Sequence, residues 1–164
     1  MISRLKTWLD RSLELATAIV TGALVVDVTW QVFSRFILKN PSGWTEELAT
    51  FLLIWAGLLG AALAYRRKAH LGIDYFVGKL SEKGRVWAEA IVCVIVAGFS
   101  ASVLLWGGVE LVAETLQMGQ TAPATGLMLG HVYIAVPLAG FFLTIYSGEF
   151  LLASFRELQK LRIH

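Results

Sequence analysis

At 164 residues the chain is too short for several domains, and at 57% hydrophobic and 16% charged it is too apolar for an ordinary soluble one. The formal charge of +2 is slight, and the basic residues flank apolar runs instead of lining one polar face, which excludes a nucleic-acid binder. Cys93 is the one cysteine and sits in an apolar run, so an internal disulfide and a thiolate metal cluster are both excluded and a buried, inert thiol is expected.

Met1 to Leu13 is amphipathic and basic, with Arg4, Lys6 and Arg11 against Ile2, Leu5, Trp8 and Leu9. This pattern predicts a segment lying on the cytoplasmic membrane surface. The apolar run that follows, Leu15 to Leu38, is too long for the core of a signal peptide and predicts a retained first span. Within it Asp27, Gln31 and Arg35 are four residues apart and share one helical face. A carboxylate near the bilayer centre costs at least a few kcal/mol, so Asp27 must point into protein, meet a partner or take up a proton. A structural polar seam and an ion or proton site are both open readings of that face.

Lys39 to Gly43 is a turn by its chemistry, with Pro41 fixing φ and Gly43 permitting a reversal. Thr45 is placed to cap the next helix, with Glu46 and Glu47 near its positive end and within reach of Arg35. From Leu48 to Tyr65 no residue is charged. At about 1.5 Å per residue this stretch covers roughly 27 Å, close to a hydrocarbon core. Ala56, Gly60 and Ala64 recur every fourth residue, with Gly57 and Ala61 beside them, a small-residue strip that lets a neighbouring backbone approach in lipid.

Arg66 to Arg85 holds six of the fourteen Lys and Arg residues. Ile73, Phe76, Val77 and Leu80 at helical spacing predict a short interfacial helix there. His70 and Asp74, four apart, suit a local pair better than a metal site, since no third ligand is suitably spaced. Val86 to Leu116 is a third apolar run, longer than one perpendicular crossing needs. Glu110 and Glu114 read as its solvated end. Gln117 to Gly130 carries no charge and reads as an external loop. A last span runs from His131 to about Phe155, with Pro137 near its start and Glu149 toward its end.

These readings give an all-α integral membrane protein of one domain, residues 1–164, with spans at about 15–38, 46–65, 86–116 and 131–155. Twelve basic residues fall in the N-terminal arm, the central loop and the tail, against Arg35 and Lys39 on the other side. That bias places both termini in the cytoplasm.

Arg35, Asn40, Trp44, Glu46, Glu47, Leu48, Ala49, Gly60, Ala61, Ala62, Arg66, His70 and Asp74, in that order, resemble the pattern of the small membrane subunit of tripartite ATP-independent periplasmic (TRAP) transporters. Thr121, Pro123, Ala124, Tyr133 and Pro137 resemble the family's second half; Leu129, Gly130 and His131 stand where that pattern would have a Trp. The resemblance implies a machine of the bacterial or archaeal inner membrane. In it a periplasmic substrate-binding protein delivers an organic acid, such as a C4-dicarboxylate or sialic acid, and a large membrane subunit moves it on a sodium gradient. This chain would then be the scaffold, without enzymatic activity, cofactor or metal. Its contacts with the large subunit and the binding protein would draw on Arg35, Trp44, Glu46, Glu47, Ala56, Gly60, Ala64, Arg66, His70 and Asp74, its remaining surface meeting membrane lipid. Asp27, Gln31 and Glu149 are the intramembrane polar groups. With no inverted repeat and no pair of interrupted spans in view, they are too few for a substrate cage.

Two other classes compete. A self-sufficient proton-coupled exporter would use Asp27 as its exchanging carboxylate. A haem protein would need two histidines facing one site, but His70 and His164 fall on the inner side and His131 on the outer.

Overall fold

The computed structural model describes residues 2–40, 42–67 and 82–163. They are all-helical, without strands, and four helices are long and apolar enough to cross a membrane. Helix α1 is Ile2–Phe36, α2 is Gly43–Arg66 and α3 is Glu82–Phe99. A π-helical segment, Ser100–Gly107, continues α3 into α4, Gly108–Gln117; α5 is Leu129–Tyr133 and α6 is Ala135–Ile163.

The helices form an open row. α1 packs along α2, α2 along α6, and α6 along α3 and the π segment, while among the described residues α1 and α3 share no interface of comparable extent. The shared core is Leu13 of α1, Leu59, Ala62 and Tyr65 of α2, and Phe142 and Tyr146 of α6. A row has two broad faces where a closed bundle has none, and its edge helices carry exposed apolar side chains such as Val26, Phe36, Ile95 and Trp106. In water such faces would drive aggregation; they suit lipid or a protein partner.

The first helix departs from expectation. Residues 2–13 do not form a separate surface segment but continue the span, so α1 runs for 35 residues, about 52 Å at helical rise. Packing explains the continuity, since Leu13 is fully buried in the core and Leu9 lies against it, leaving Trp8 outward. The α1–α2 turn also differs. The left-handed residue is Lys39 (φ 52°), not Gly43, and Gly43 opens α2. Ser42 occupies the cap position, while Thr45 lies fully buried one turn in, its hydroxyl 2.7 Å from both the Ser42 carbonyl and the Ser42 hydroxyl. The interfacial helix expected after Arg67 falls, for residues 68–81, outside the described residues.

Against the expectation of no interrupted pair, the third span is broken by the π-helical segment and the fourth at the α5–α6 junction, and the two interruptions face one another. Pro137 lacks the N–H that would bond to the carbonyl of Tyr133, and α5 ends at Tyr133. Opposite it, a Cβ on Gly108 would lie 2.9 Å from the Pro137 ring, and one on Gly140 would lie 2.6 Å from the backbone nitrogen of Leu105. Close packing fills the junction. The Ser100 and Thr144 hydroxyls bond across it at 3.1 Å, and Thr144 also donates to the Gly140 carbonyl at 2.7 Å.

Candidate functional site

Polar side chains gather at the two ends of the row. At the end carrying the α1–α2 turn, Glu47 reaches from the first turns of α2 to the 118–128 connection. Its carboxylate accepts from the backbone N–H of Ala124 at 3.2 and 3.3 Å, from the N–H of Thr125 at 2.6 Å and from the Thr125 hydroxyl at 2.7 Å. Charge-assisted bonds of this kind are about twice as strong as neutral ones. They hold a tight reversal in which Gly126 takes φ 70° and donates to the Ala122 carbonyl at 2.8 Å, while Thr121 and Met128 pair as an isolated antiparallel bridge. Gly126 is required there because a side chain is strained at that φ.

Beside this clasp Arg35 and Glu46 approach to 3.8 Å. Both are largely exposed, so the pair orients more than it stabilises. Trp44 is half exposed at the same rim.

At the end carrying the termini, Lys6, Asp10 and Glu14 occupy successive turns of α1 and meet opposite charges on two other helices. Lys6 bonds to Glu149 of α6. Asp10 receives a two-pronged contact from Arg66 of α2, Nε to Oδ1 and Nη2 to Oδ2, each at 2.9 Å. Glu14 pairs with Arg67 at 3.0 Å. The Arg66 guanidinium also sits 5.3 Å from the Tyr146 ring centroid, a cation–π contact that extends the ladder to α6.

Arg66 and Glu149 are thus engaged within the chain, on the ladder. Glu47 is engaged with the loop, and Arg35 and Glu46 with each other. The small-residue strip of α2 makes no close internal contact at its glycines: a Cβ on Gly57 or Gly60 would meet nothing within 4 Å. Ala56 and Ala64 are half-buried beside them. His70 and Asp74 lie outside the described residues. Along the α1 seam Asp27 is 7% exposed and its Oδ2 has no hydrogen-bond partner among the described residues, Gln31 is half-buried, and Arg35 turns away to Glu46. No group of three or more potential metal ligands occurs among the described residues.

Sequence reasoning missed two sets of residues. Asp10 and Glu14 went unread, although the four-residue spacing of Lys6, Asp10 and Glu14 signalled a charged stripe. Gly108, Gly130 and Gly140 make the close approaches that were expected of the α2 strip; a Cβ on Gly130 would lie 2.5 Å from Leu116.

The sequence profile of the tripartite ATP-independent periplasmic transporters, DctQ component, matches residues 24–157. The chain is 41% identical over 73 residues to the sialic acid TRAP transporter small permease protein of Vibrio cholerae, a match covering 44% of this chain and 42% of that one. It is 28% identical over 142 residues to the isethionate TRAP transporter permease protein of Oleidesulfovibrio alaskensis, covering 80% of this chain and 22% of that longer one. A putative TRAP transporter small permease protein of Haemophilus influenzae is 24% identical over 140 residues, 85% of each chain. The matched stretch thus spans less than half of the Vibrio relative. These relatives are permease proteins and not enzymes, and the profile match over residues 24–157, most of the helical row, places this chain in the DctQ family, the small membrane component of TRAP transporters.

Proposed function

We propose that this chain is the scaffold of a sodium-driven TRAP importer. It supports a large transport subunit that moves an organic acid, a sialic acid or a C4-dicarboxylate being the classes handled by relatives named for those substrates. The end with the termini faces the cytoplasm, as the distribution of Lys and Arg favours, and the Glu47 clasp faces the periplasm, where it helps to receive the substrate-loaded binding protein.

The observation that carries this reading is where the polar side chains are used. Glu47, Arg66, Glu149, Asp10 and Glu14 join this chain's own helices and loop, which leaves a stiff row with open apolar faces. Such a row suits a static support. The isethionate relative, a single permease protein more than four times the length of the matched stretch, supports a partnership with a larger membrane unit.

Two measurements test the proposal. The chain is expected to co-purify with its large subunit from solubilised membranes, and its deletion is expected to abolish sodium-driven uptake. Undiminished uptake without it refutes the scaffold role.

A further inference from the structure

One groove on the row remains unassigned. It runs between α1 and α2 on a broad face, encloses about 500 Å³, and is bounded by Thr17, Ala18, Thr21, Gly22 and Val25 of α1 and by Leu63 of α2. The Thr17 hydroxyl is spent on the Leu13 carbonyl at 2.7 Å, and a Cβ on Gly22 would meet nothing within 4 Å. The lining is mostly apolar, and among the described residues no neighbouring side chain fills the floor at Gly22. At its mouth stand Glu14 and Arg67, an ion pair at 3.0 Å with side chains 48% and 63% exposed.

The geometry points to a phospholipid with a phosphoethanolamine headgroup as the occupant. Two observations select it. Glu14 to Val25 is eleven residues, about 16 Å of helix, close to half of a hydrocarbon core of roughly 30 Å. An acyl chain lying in the groove with its headgroup at Glu14 and Arg67 therefore ends near the bilayer midplane. The mouth also carries one anion and one cation side by side. A primary ammonium donates to the Glu14 carboxylate while the adjoining phosphate accepts from the Arg67 guanidinium, so the zwitterion inserts into the ion pair with every charge compensated. Phosphatidylglycerol has no cation for Glu14. Phosphatidylcholine has a quaternary ammonium without N–H, which cannot donate to it.

This inference goes beyond the scaffold role and does not depend on the solute carried. It is tested on the full chain in detergent by native mass spectrometry, with dioleoyl phosphatidylethanolamine, phosphatidylcholine and phosphatidylglycerol supplied in equal amounts. One phosphatidylethanolamine is expected to be retained, about tenfold over the other two, the discrimination that one charge-assisted hydrogen bond supplies. Glu14→Gln with Arg67→Gln is expected to erase the preference, and Gly22→Leu, which fills the floor, to remove the bound lipid while leaving the far-UV helical signal unchanged. Because both ladder residues of that mouth are altered in the first variant, Gly22→Leu serves as the independent arm. Equal retention of the three lipids, or unchanged retention in Gly22→Leu, overturns the proposal. So does a crosslink from Thr21→Cys to the large subunit in the intact complex, since it would show the groove filled by a protein helix. None of these results bears on whether deletion of the chain stops uptake.

Discussion

Arg66 holds Asp10 by two parallel hydrogen bonds of 2.9 Å while its guanidinium lies 5.3 Å from the ring centroid of Tyr146. One side chain of α2 thereby fixes the helix before it and the helix at the end of the chain. The contact is the central rung of the ladder, and its side chains are only 21% and 27% exposed, the least exposed of the ion pairs among the described residues. Removing one partner of such a pair leaves the other charge poorly solvated.

Arg66→Ala is therefore expected to destabilise the chain by about 1–3 kcal/mol, below the cost for a fully buried pair because water still reaches this one. Lys at position 66 recovers only part of that, since an ammonium cannot make the two-pronged contact. The exchange Asp10→Arg with Arg66→Asp is expected to restore more stability than either single change predicts. Thermal unfolding in detergent of the four proteins, analysed as a double-mutant cycle, checks this.

Glu47 controls a loop instead of a helix contact. Glu47→Ala leaves the N–H groups of Ala124 and Thr125 to water and removes the tie between α2 and the 118–128 connection. Amide exchange at those two residues is expected to rise about ten- to a hundredfold, from the roughly 1.5–3 kcal/mol of a hydrogen bond to a charged group. Exchange in the core around Leu59 and Phe142 is expected to stay unchanged. Hydrogen exchange with peptide resolution measures both; equal exchange in the loop of the variant would show that the clasp is not holding it.

Two glycines of similar sequence context are expected to behave oppositely. Gly140→Ala drives a Cβ to 2.6 Å from the Leu105 backbone, so α6 and the π segment must separate, at about 1–3 kcal/mol. Gly60→Ala meets nothing within 4 Å and gains roughly 0.5–1 kcal/mol of helix propensity, so the isolated chain is stabilised. If the α2 strip is a seat for the large subunit, the same Gly60→Ala weakens co-purification while raising the melting temperature of the chain alone. Melting curves and pull-down yields of both variants separate these effects.

This contrast shows what the sequence makes legible and what it leaves open. Apolar runs bounded by charges announce spanning helices, because lipid tolerates little else. Small residues at fourfold spacing announce close approach, but the spacing is the same whichever neighbour is approached. Only the arrangement of the row decides that Gly108 and Gly140 are used inside the chain while Gly57 and Gly60 are left open. The Asp10–Arg66 pair is illegible for a related reason: it joins positions 56 residues apart, and its register depends on a turn whose left-handed residue is Lys39, where Gly43 was the stronger signal. The π segment is hidden because Ser100 to Gly107 is at least as apolar as its flanks; Pro137, across the interface, hints at irregularity there.

Asp27 separates the scaffold from the exporter reading. It is 7% exposed, its Oδ2 lacks a partner among the described residues, and the nearest cation on its face, Arg35, is paired with Glu46. A buried polar atom without a hydrogen bond costs free energy, so an apolar group of similar size is expected to stabilise the protein. Asp27→Leu should accordingly raise stability by about 1–2 kcal/mol, within the range seen when buried polar groups are replaced by packed apolar ones. In the proposed scaffold the carboxylate carries no cargo, so Asp27→Asn and Asp27→Leu are both expected to leave uptake by the assembled transporter at the wild-type rate. An exporter that exchanges a proton at Asp27 would lose all activity in both. Uptake into proteoliposomes holding the large subunit with each variant, run beside melting curves of the same preparations, decides between them: loss of uptake from a variant that melts higher than wild type would mean that the carboxylate works in transport.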